Sequence, residues 1–369
     1  MPIKANLDDL AKAQRETEQH LDRDDVLKQR LDNVYWAFQD LCDLIPQPWG
    51  KLFSGHFFPL TQAMDELRNC GALAHVGFYQ HAIAGLRWVL ELGMLSVYWD
   101  RADSAERLVQ EWLRSREKTP FRKQVLQGLE EIPNVARYCK QSTFVAEFQW
   151  VYEELSKYQH VRGVRYSSRH LSHGNVIRFQ VIAFVKWANL AFQVVRLVTT
   201  VHLLKYPVGL QETRIDEKFG LNPPMGGFLN PWQADRLRSL FGSDDLAMLQ
   251  KISDADPQAR KLAEEIAAMP DLTTEQRELQ ELQWAKDVIE DQGFESWCQM
   301  CLSFDESAGA DPESHRRFRK TAEELRTWAA ERGLLEHGRH GPPLRGENHP
   351  DRQHHASEWT FGVSPRDPE

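Results

Sequence analysis

The stretch NVIRFQVIAFVKWANLAFQVVRLVTTVHLLKY, from Asn175 to Tyr206, decides the fold. It is apolar enough to suggest a membrane span. Yet Lys186, Asn189, Gln193, Arg196 and Thr200 recur at spacings of three and four, which on a helix makes a single polar stripe. A lysine and an arginine facing lipid near mid-bilayer would each cost about 3 kcal/mol. The stretch therefore reads as a long amphipathic helix buried in a protein core, and no membrane partner is expected.

The same three-and-four spacing runs through the rest of the chain, and alternating β-branched runs are rare, so the expected class is all-α. Helices are expected over residues 5 to 20, Asp24 to Leu44, 104 to 117 and Phe144 to Tyr158. In the second of these, Val26, Leu31, Val34, Phe38, Leu41 and Leu44 share roughly one face, and Pro46 and Pro48 end it. Ala72 to Trp99 is hydrophobic nearly all round and must be buried. Within it Arg87 and Glu91 stand four apart, the spacing of an ion pair held in a core or an interface. Past Tyr206, FGLNPPMGGFLNPW (219 to 232) is dense in glycine, proline and asparagine and marks a linker. Further helices are expected at Pro231 to Leu240, Asp244 to Ile252, Pro257 to Ala268, Thr274 to Asp291 (capped by Thr273 or Thr274) and 314 to 333. The resulting organisation is 1–48, N-terminal helices; 49–210, a helical-bundle core; 211–232, a linker; 233–335, an acidic helical region; and 336–369, a flexible tail too polar to order itself.

Charge is uneven. The formal net charge is −9, but residues 1 to 210 carry 26 Lys and Arg against 23 Asp and Glu, and the remainder 19 against 31. A general coat for nucleic acid is excluded, and the acidic balance lies in the second part. Five cysteines, an odd number and most of them in apolar helical contexts, fit free thiols in a reducing compartment. The first residues carry early acids and no apolar run, so a cytoplasmic location is expected.

From Leu155 to Gln211 there is not one Asp or Glu, while Lys157, Arg162, Arg165, Arg169, Arg178, Lys186, Arg196 and Lys205 supply eight positive charges. Such a block favours something anionic: RNA or another phosphate-bearing partner, a lipid surface, an acidic protein, or the chain's own acidic region. Inside it, YEELSKYQHVRGVRYSSRHLSHGN (Tyr152 to Asn175) gathers three histidines and three arginines. Metal-free cleavage of a phosphodiester needs a group that titrates near neutrality and a cation to stabilise charge on phosphate, tasks suited to His and Arg. Arg169 and His173, four apart, share a helical face; Arg165 and His170, five apart, diverge on a straight helix. The catalytic candidates are Arg165 and His170, with Arg169, His173, Lys157 and Arg162 as substrate-binding residues. The competing reading is a helix start bearing solvated basic residues, capped by Ser167 or Ser172.

YEELSKYQH (Tyr152 to His160), followed by RHLSHG, resembles the Tyr-x-x-Leu-Ser-x-x-x-His and Leu-Ser-x-Gly wording of HEPN-like bacterial helical proteins. AIAGLRWVLE (Ala82 to Glu91) is similar to their apolar Leu-Arg-x-x-x-Glu helix, and the likeness covers about residues 55 to 205. The resemblance implies a bundle of four to five helices, frequently a dimer, common in toxin and antiphage defence systems. Some such proteins are metal-independent RNases whose Arg and His, four to six residues apart, form a composite site across the dimer. Here only Arg165 and His170 meet that spacing, and Tyr166 stands where a polar residue usually follows the arginine. Other such proteins are non-catalytic interaction modules.

No cofactor or metal is expected. Cys298 and Cys301 form one C-x-x-C without a second pair, and fit the apolar face of a helix beside Trp297. The histidines His337, His340, His349, His354 and His355 fall in the polar tail.

Overall fold

The computed structural model describes residues 7–46, 56–100, 106–120, 122–171, 177–224, 226–308 and 312–339. Every regular element among them is a helix. The chain divides into two compact units, residues 1–271 and 272–369.

The first unit opens with α1 (Leu7–Leu21), α2 (Asp25–Leu44), α3 (Phe57–His75) and α4 (Tyr79–Trp99). The short helices α5 (Glu106–Leu113), α6 (Arg122–Leu129) and α7 (Pro133–Gln141) lead to α8 (Phe144–Gln159) and the single turn α9 (Ser168–Leu171). Then come α10 (Val181–Lys205), α11 (Ile215–Phe219), α12 (Pro231–Arg238), α13 (Ser243–Ala255) and α14 (Pro257–Ala267). Two helices form the axis. α4 packs along α3, α8 and α10, and α10 also lies on α2.

Glycines let these helices approach. A Cβ at Gly93 would stand 2.6 Å from both γ-carbons of Val198 on α10, and one at Gly85 would stand 2.6 Å from Sγ of Cys70 on α3. Interiors packed this tightly do not absorb an added methyl without displacement.

Four of the five residues of the α10 polar stripe are met by groups of the protein itself, and the fifth, Gln193, has a buried Oε1 with no partner among the described residues. Lys186 pairs with Glu154 at 3.0 Å, Asn189 accepts from Arg30 at 2.9 Å, and Thr200 donates to the Arg196 carbonyl at 2.8 Å. Arg196 pairs with Glu147 and, at 3.3 Å, with Asp245. Among the described residues α10 is the one helix long and apolar enough to cross a membrane, and 56% of that apolar window is buried within the protein. The helix starts at Val181 rather than near residue 176, because Gln180 is extended and its N–H donates to the Tyr79 hydroxyl at 2.9 Å.

Asp24 caps α2 through a hydrogen bond from the Leu27 N–H, and Val34, Phe38, Leu41 and Leu44 are buried as the spacing implies. Val26 is the exception at 78% exposed: the inward position of the first turn belongs to Leu27, one residue on. The glycine- and proline-rich stretch at 219 to 232 does not separate two packing units. Leu237, Leu249, Ile252 and Ala259, from α12, α13 and α14, join the same core as α2 and α10. Gly227 donates to the Asp43 carbonyl at 2.7 Å, and Arg236 grips Asp40 with two hydrogen bonds of 2.7 and 3.1 Å. The turn thus folds the chain back onto α2, and the boundary between units falls at Asp271–Leu272.

The second unit contains α15 (Thr274–Gln292), α16 (Phe294–Ala308) and α17 (Pro312–Ala330), around a small core of Ala285, Ile289, Trp297, Leu325, Ala329 and Leu334. Thr273 caps α15 through the Gln276 N–H. Cys298 and Cys301 are free thiols packed at the edge of this core, and no metal-holding cluster occurs among the described residues. His337 is described; His340, His349, His354 and His355 lie outside the described residues.

Candidate anion-binding site

The acid-free block divides into an inward half and an outward half. Inward, Lys157 and Lys186 share Glu154 at 2.8 and 3.0 Å. Burial alone would raise the Glu154 carboxyl, but the two lysine hydrogen bonds outweigh it and hold the group below the ordinary carboxylate range. Glu147 behaves alike: Thr143 and Arg196 overcome its burial. Lys205 donates to the Asp100 carbonyl at 2.9 Å, with the Asp100 carboxylate 3.5 Å away. Lys157, expected to bind substrate, is one of these paired cations.

The outward half begins where α8 stops. His160 closes the helix, and the chain turns through Val161 (φ +43°) and Gly163 (φ +85°). Left-handed backbone is natural for the glycine and strained for a β-branched valine. A 3₁₀ turn, Val164–Tyr166, follows and leads through extended Ser167 into α9. Three anchors fix this segment. The Tyr166 ring sits edge-on to Tyr158 at 5.1 Å, Leu171 is buried, and Ser168 donates its N–H and hydroxyl to Gln80 Oε1 at 2.8 and 2.7 Å. Tyr166 and Leu171 turn inward, while Val161 and Val164 are exposed together with Arg162, Arg165, Arg169 and His170.

Among the described residues no ion pair neutralises Arg162 or Arg165, and no hydrogen bond joins Arg165 to His170. The two stand on separate elements, Arg165 in the 3₁₀ turn and His170 in α9, so the straight-helix argument does not apply. Ser167 receives the His170 N–H at 3.4 Å, a weak cap for the short helix. His173 lies outside the described residues.

The structure also assembles residues from the two resembling phrases. Arg87 on α4 donates from Nε to Glu91 at 2.9 Å and from Nη2 to the Tyr152 hydroxyl at 2.5 Å, while Nη1 lies 3.4 Å from His160 Nε2. The Arg87 and Arg122 guanidinium groups each lie 4.6 Å from the centre of the Tyr152 ring. Glu91 and Tyr152 orient Arg87, and the exposed imidazole of His160 beside it borders the arginine-bearing turn. With Glu91 and Tyr152 as partners Arg87 belongs with the paired cations, and His160 is the exposed member of the cluster. The Arg87–Glu91 spacing was readable in the sequence. Its convergence with Tyr152, 65 residues away, was not, since no local pattern records it.

A separate groove of about 350 Å³ lies between α2, α3 and α10, walled by Leu31, Val34, Leu67, Gly71, Trp187 and Ala191. It shares no residue with the basic cluster. Comparison with known protein families, with curated proteins and with solved structures gives no match.

Proposed function

We propose that this protein binds a phosphate-bearing partner, RNA foremost, along the exposed turn at 160–171. The HEPN-like resemblance places such binding in a stress, toxin or phage-defence setting, with a dimer as the working form. The observation that carries the reading is the contrast within one acid-free block: the inward cations already have carboxylate partners, whereas Arg162 and Arg165 stand exposed on an anchored turn. Unneutralised arginines on a fixed surface are the ordinary electrostatic footprint of a polyanion site. Binding of labelled RNA, followed by anisotropy at low salt, is expected to weaken at least about 10-fold in the Arg162→Ala/Arg165→Ala variant. Undiminished affinity in that variant removes the turn from the site.

In the catalytic form of this reading Arg165 stabilises charge on the phosphate, His170 moves the proton, and Arg169 and His173 position the strand. Since Arg165 and His170 occupy separate elements of one chain, a composite site across a dimer suits them better than a site within one chain. RNA that stays intact with wild type, or is cut by Arg165→Ala and His170→Ala as fast as by wild type, eliminates it.

The competing reading is a non-catalytic module that docks an acidic protein. It draws support from the inward half, where Arg196 binds Asp245 and Lys186 binds Glu154. If the chain's own acidic region is the occupant, removing residues 272–369 raises salt-sensitive RNA binding by the first unit. The cut belongs after Asp271 because α12 to α14 complete the first core.

A further inference from the structure

Where the amino end of α3 meets the carboxyl ends of α4 and α10, a chain of polar groups runs through an otherwise apolar core. His56, Ser96 and His202 are each no more than 1% exposed. The Ser96 hydroxyl donates to the His56 carbonyl at 2.6 Å. Nδ1 of His56 lies 3.0 Å from the Ser96 carbonyl and 2.8 Å from its hydroxyl oxygen. On the other side of the ring, Nε2 lies 2.7 Å from the Tyr206 hydroxyl, which is 2.9 Å from the Asp100 carboxylate. The ring's centre lies 5.9 Å from that of His202 and 5.5 Å from that of Tyr206, with the planes close to parallel.

Counting hydrogens assigns the protonation state. The Ser96 hydrogen is spent on the His56 carbonyl. A carbonyl opposite Nδ1 can only accept, so Nδ1 carries a hydrogen. Tyr206 has one hydroxyl hydrogen and two short contacts. If it points at Asp100, His56 Nε2 must carry the hydrogen between ring and phenol. If it points at Nε2, the phenol oxygen faces a carboxylate with no hydrogen between them. A neutral ring with an ionised Asp100 therefore leaves one short contact without a hydrogen. Lys205, 3.5 Å from the Asp100 carboxylate, favours its ionised form and puts the extra proton on the histidine.

We infer that His56 is held as an imidazolium, bridged through Tyr206 to Asp100, and that this proton latches α3 to α4 and α10. The charged and titratable groups facing the ring include Asp100 just after α4, His202 and Lys205 from α10, and Tyr206 just beyond it, with His202 Nε2 also 3.4 Å from the Ser96 hydroxyl. His202 takes the other role. Its Nδ1 donates to the Val198 carbonyl at 2.9 Å, and burial pushes its titration down to about 4, so it stays neutral beside the charged ring. As pH rises and His56 loses its proton, Tyr206 can serve Nε2 or Asp100 but not both, and the latch opens. A proton retained in the folded state and released on unfolding stabilises at low pH and ceases to do so as pH rises.

Side-chain nitrogen NMR of the full-length, ¹⁵N-histidine-labelled protein at about pH 8 tests this, since an ordinary imidazole is then neutral. One histidine is expected to show two protonated ring nitrogens, and Tyr206→Phe is expected to abolish its second N–H. Should that variant not fold, the wild-type spectrum decides alone. A bare ring nitrogen on every histidine, or a doubly protonated ring unchanged by Tyr206→Phe, overturns the assignment.

Discussion

Lys186 and Arg165 come from the same acid-free run, and their surroundings are opposite. Lys186 reaches inward to Glu154 and lies 5.0 Å from the Tyr158 ring centre. Arg165 stands in solvent on a turn whose anchors are the residues around it. The sequence holds nothing that separates them by type, since both are cations without a nearby acid. What separates them is the acid supplied by other helices: Glu147 and Glu154 from α8, Asp100 after α4 and Asp245 from α13. The inward cations therefore belong to the fold, and Arg162 and Arg165 are assigned to the proposed partner.

Perturbing the inward side should cost stability and spare binding. The largest expected effect is at His202, whose titration is held near 4 by burial. The sign follows from linkage: a neutral buried imidazole stabilises above the ordinary histidine value, and that contribution is lost as pH falls from about 6.5 through 4. The loss amounts to roughly 3 kcal/mol at most, read as a falling unfolding temperature between pH 7 and 4 that His202→Gln flattens. A slope that persists undiminished in a folded His202→Gln protein removes His202 as its source. Glu154→Ala comes next. It strands two half-buried lysines at a cost of roughly 2 kcal/mol, discounted because both ammonium groups keep some solvent. Chemical denaturation reads this directly, and a change under about 0.5 kcal/mol would contradict the pairing.

Substitutions on the outward turn should behave differently. Val161→Gly relieves left-handed backbone strain and should raise stability by about 0.5 kcal/mol; a clear loss would show that the valine side chain packs. Arg162→Ala and Arg165→Ala singly should move the unfolding free energy by less than about 0.5 kcal/mol, because neither side chain forms an ion pair with a described residue and Arg165 meets the Tyr166 ring only at 6.0 Å. A larger loss from either would move that arginine into the inward group.

How much of this was readable beforehand depends on sequence range. The all-helical class, the burial of α10 and the caps at Asp24 and Thr273 rest on local spacing and were legible. The Pro/Gly-rich stretch before Asn230 was legible as a turn. Its consequence was not, because chain reversal and unit separation have the same composition, and only the return of Leu237 and Leu249 to the core distinguishes them. The site divides the same way. The acid-free block was visible, but which of its cations reach inward to carboxylates needed Glu147, Glu154 and Asp245 placed in space. The Arg87–Tyr152–His160 cluster and the His56–Tyr206–Asp100 chain join residues 65 to 150 positions apart, beyond any periodicity.

The division of the block is tested most directly by the salt dependence of RNA binding. Labelled single-stranded RNA should be titrated with the full-length wild type and with Arg162→Ala/Arg165→Ala across a range of salt concentrations. The wild type is expected to lose affinity steeply with salt, and the slope of log affinity against log salt should be shallower by about 1.4 in the variant, at an unchanged unfolding temperature. Equal slopes for the two proteins, or wild-type binding that does not respond to salt, would contradict the assignment of the outward arginines to a phosphate-bearing partner.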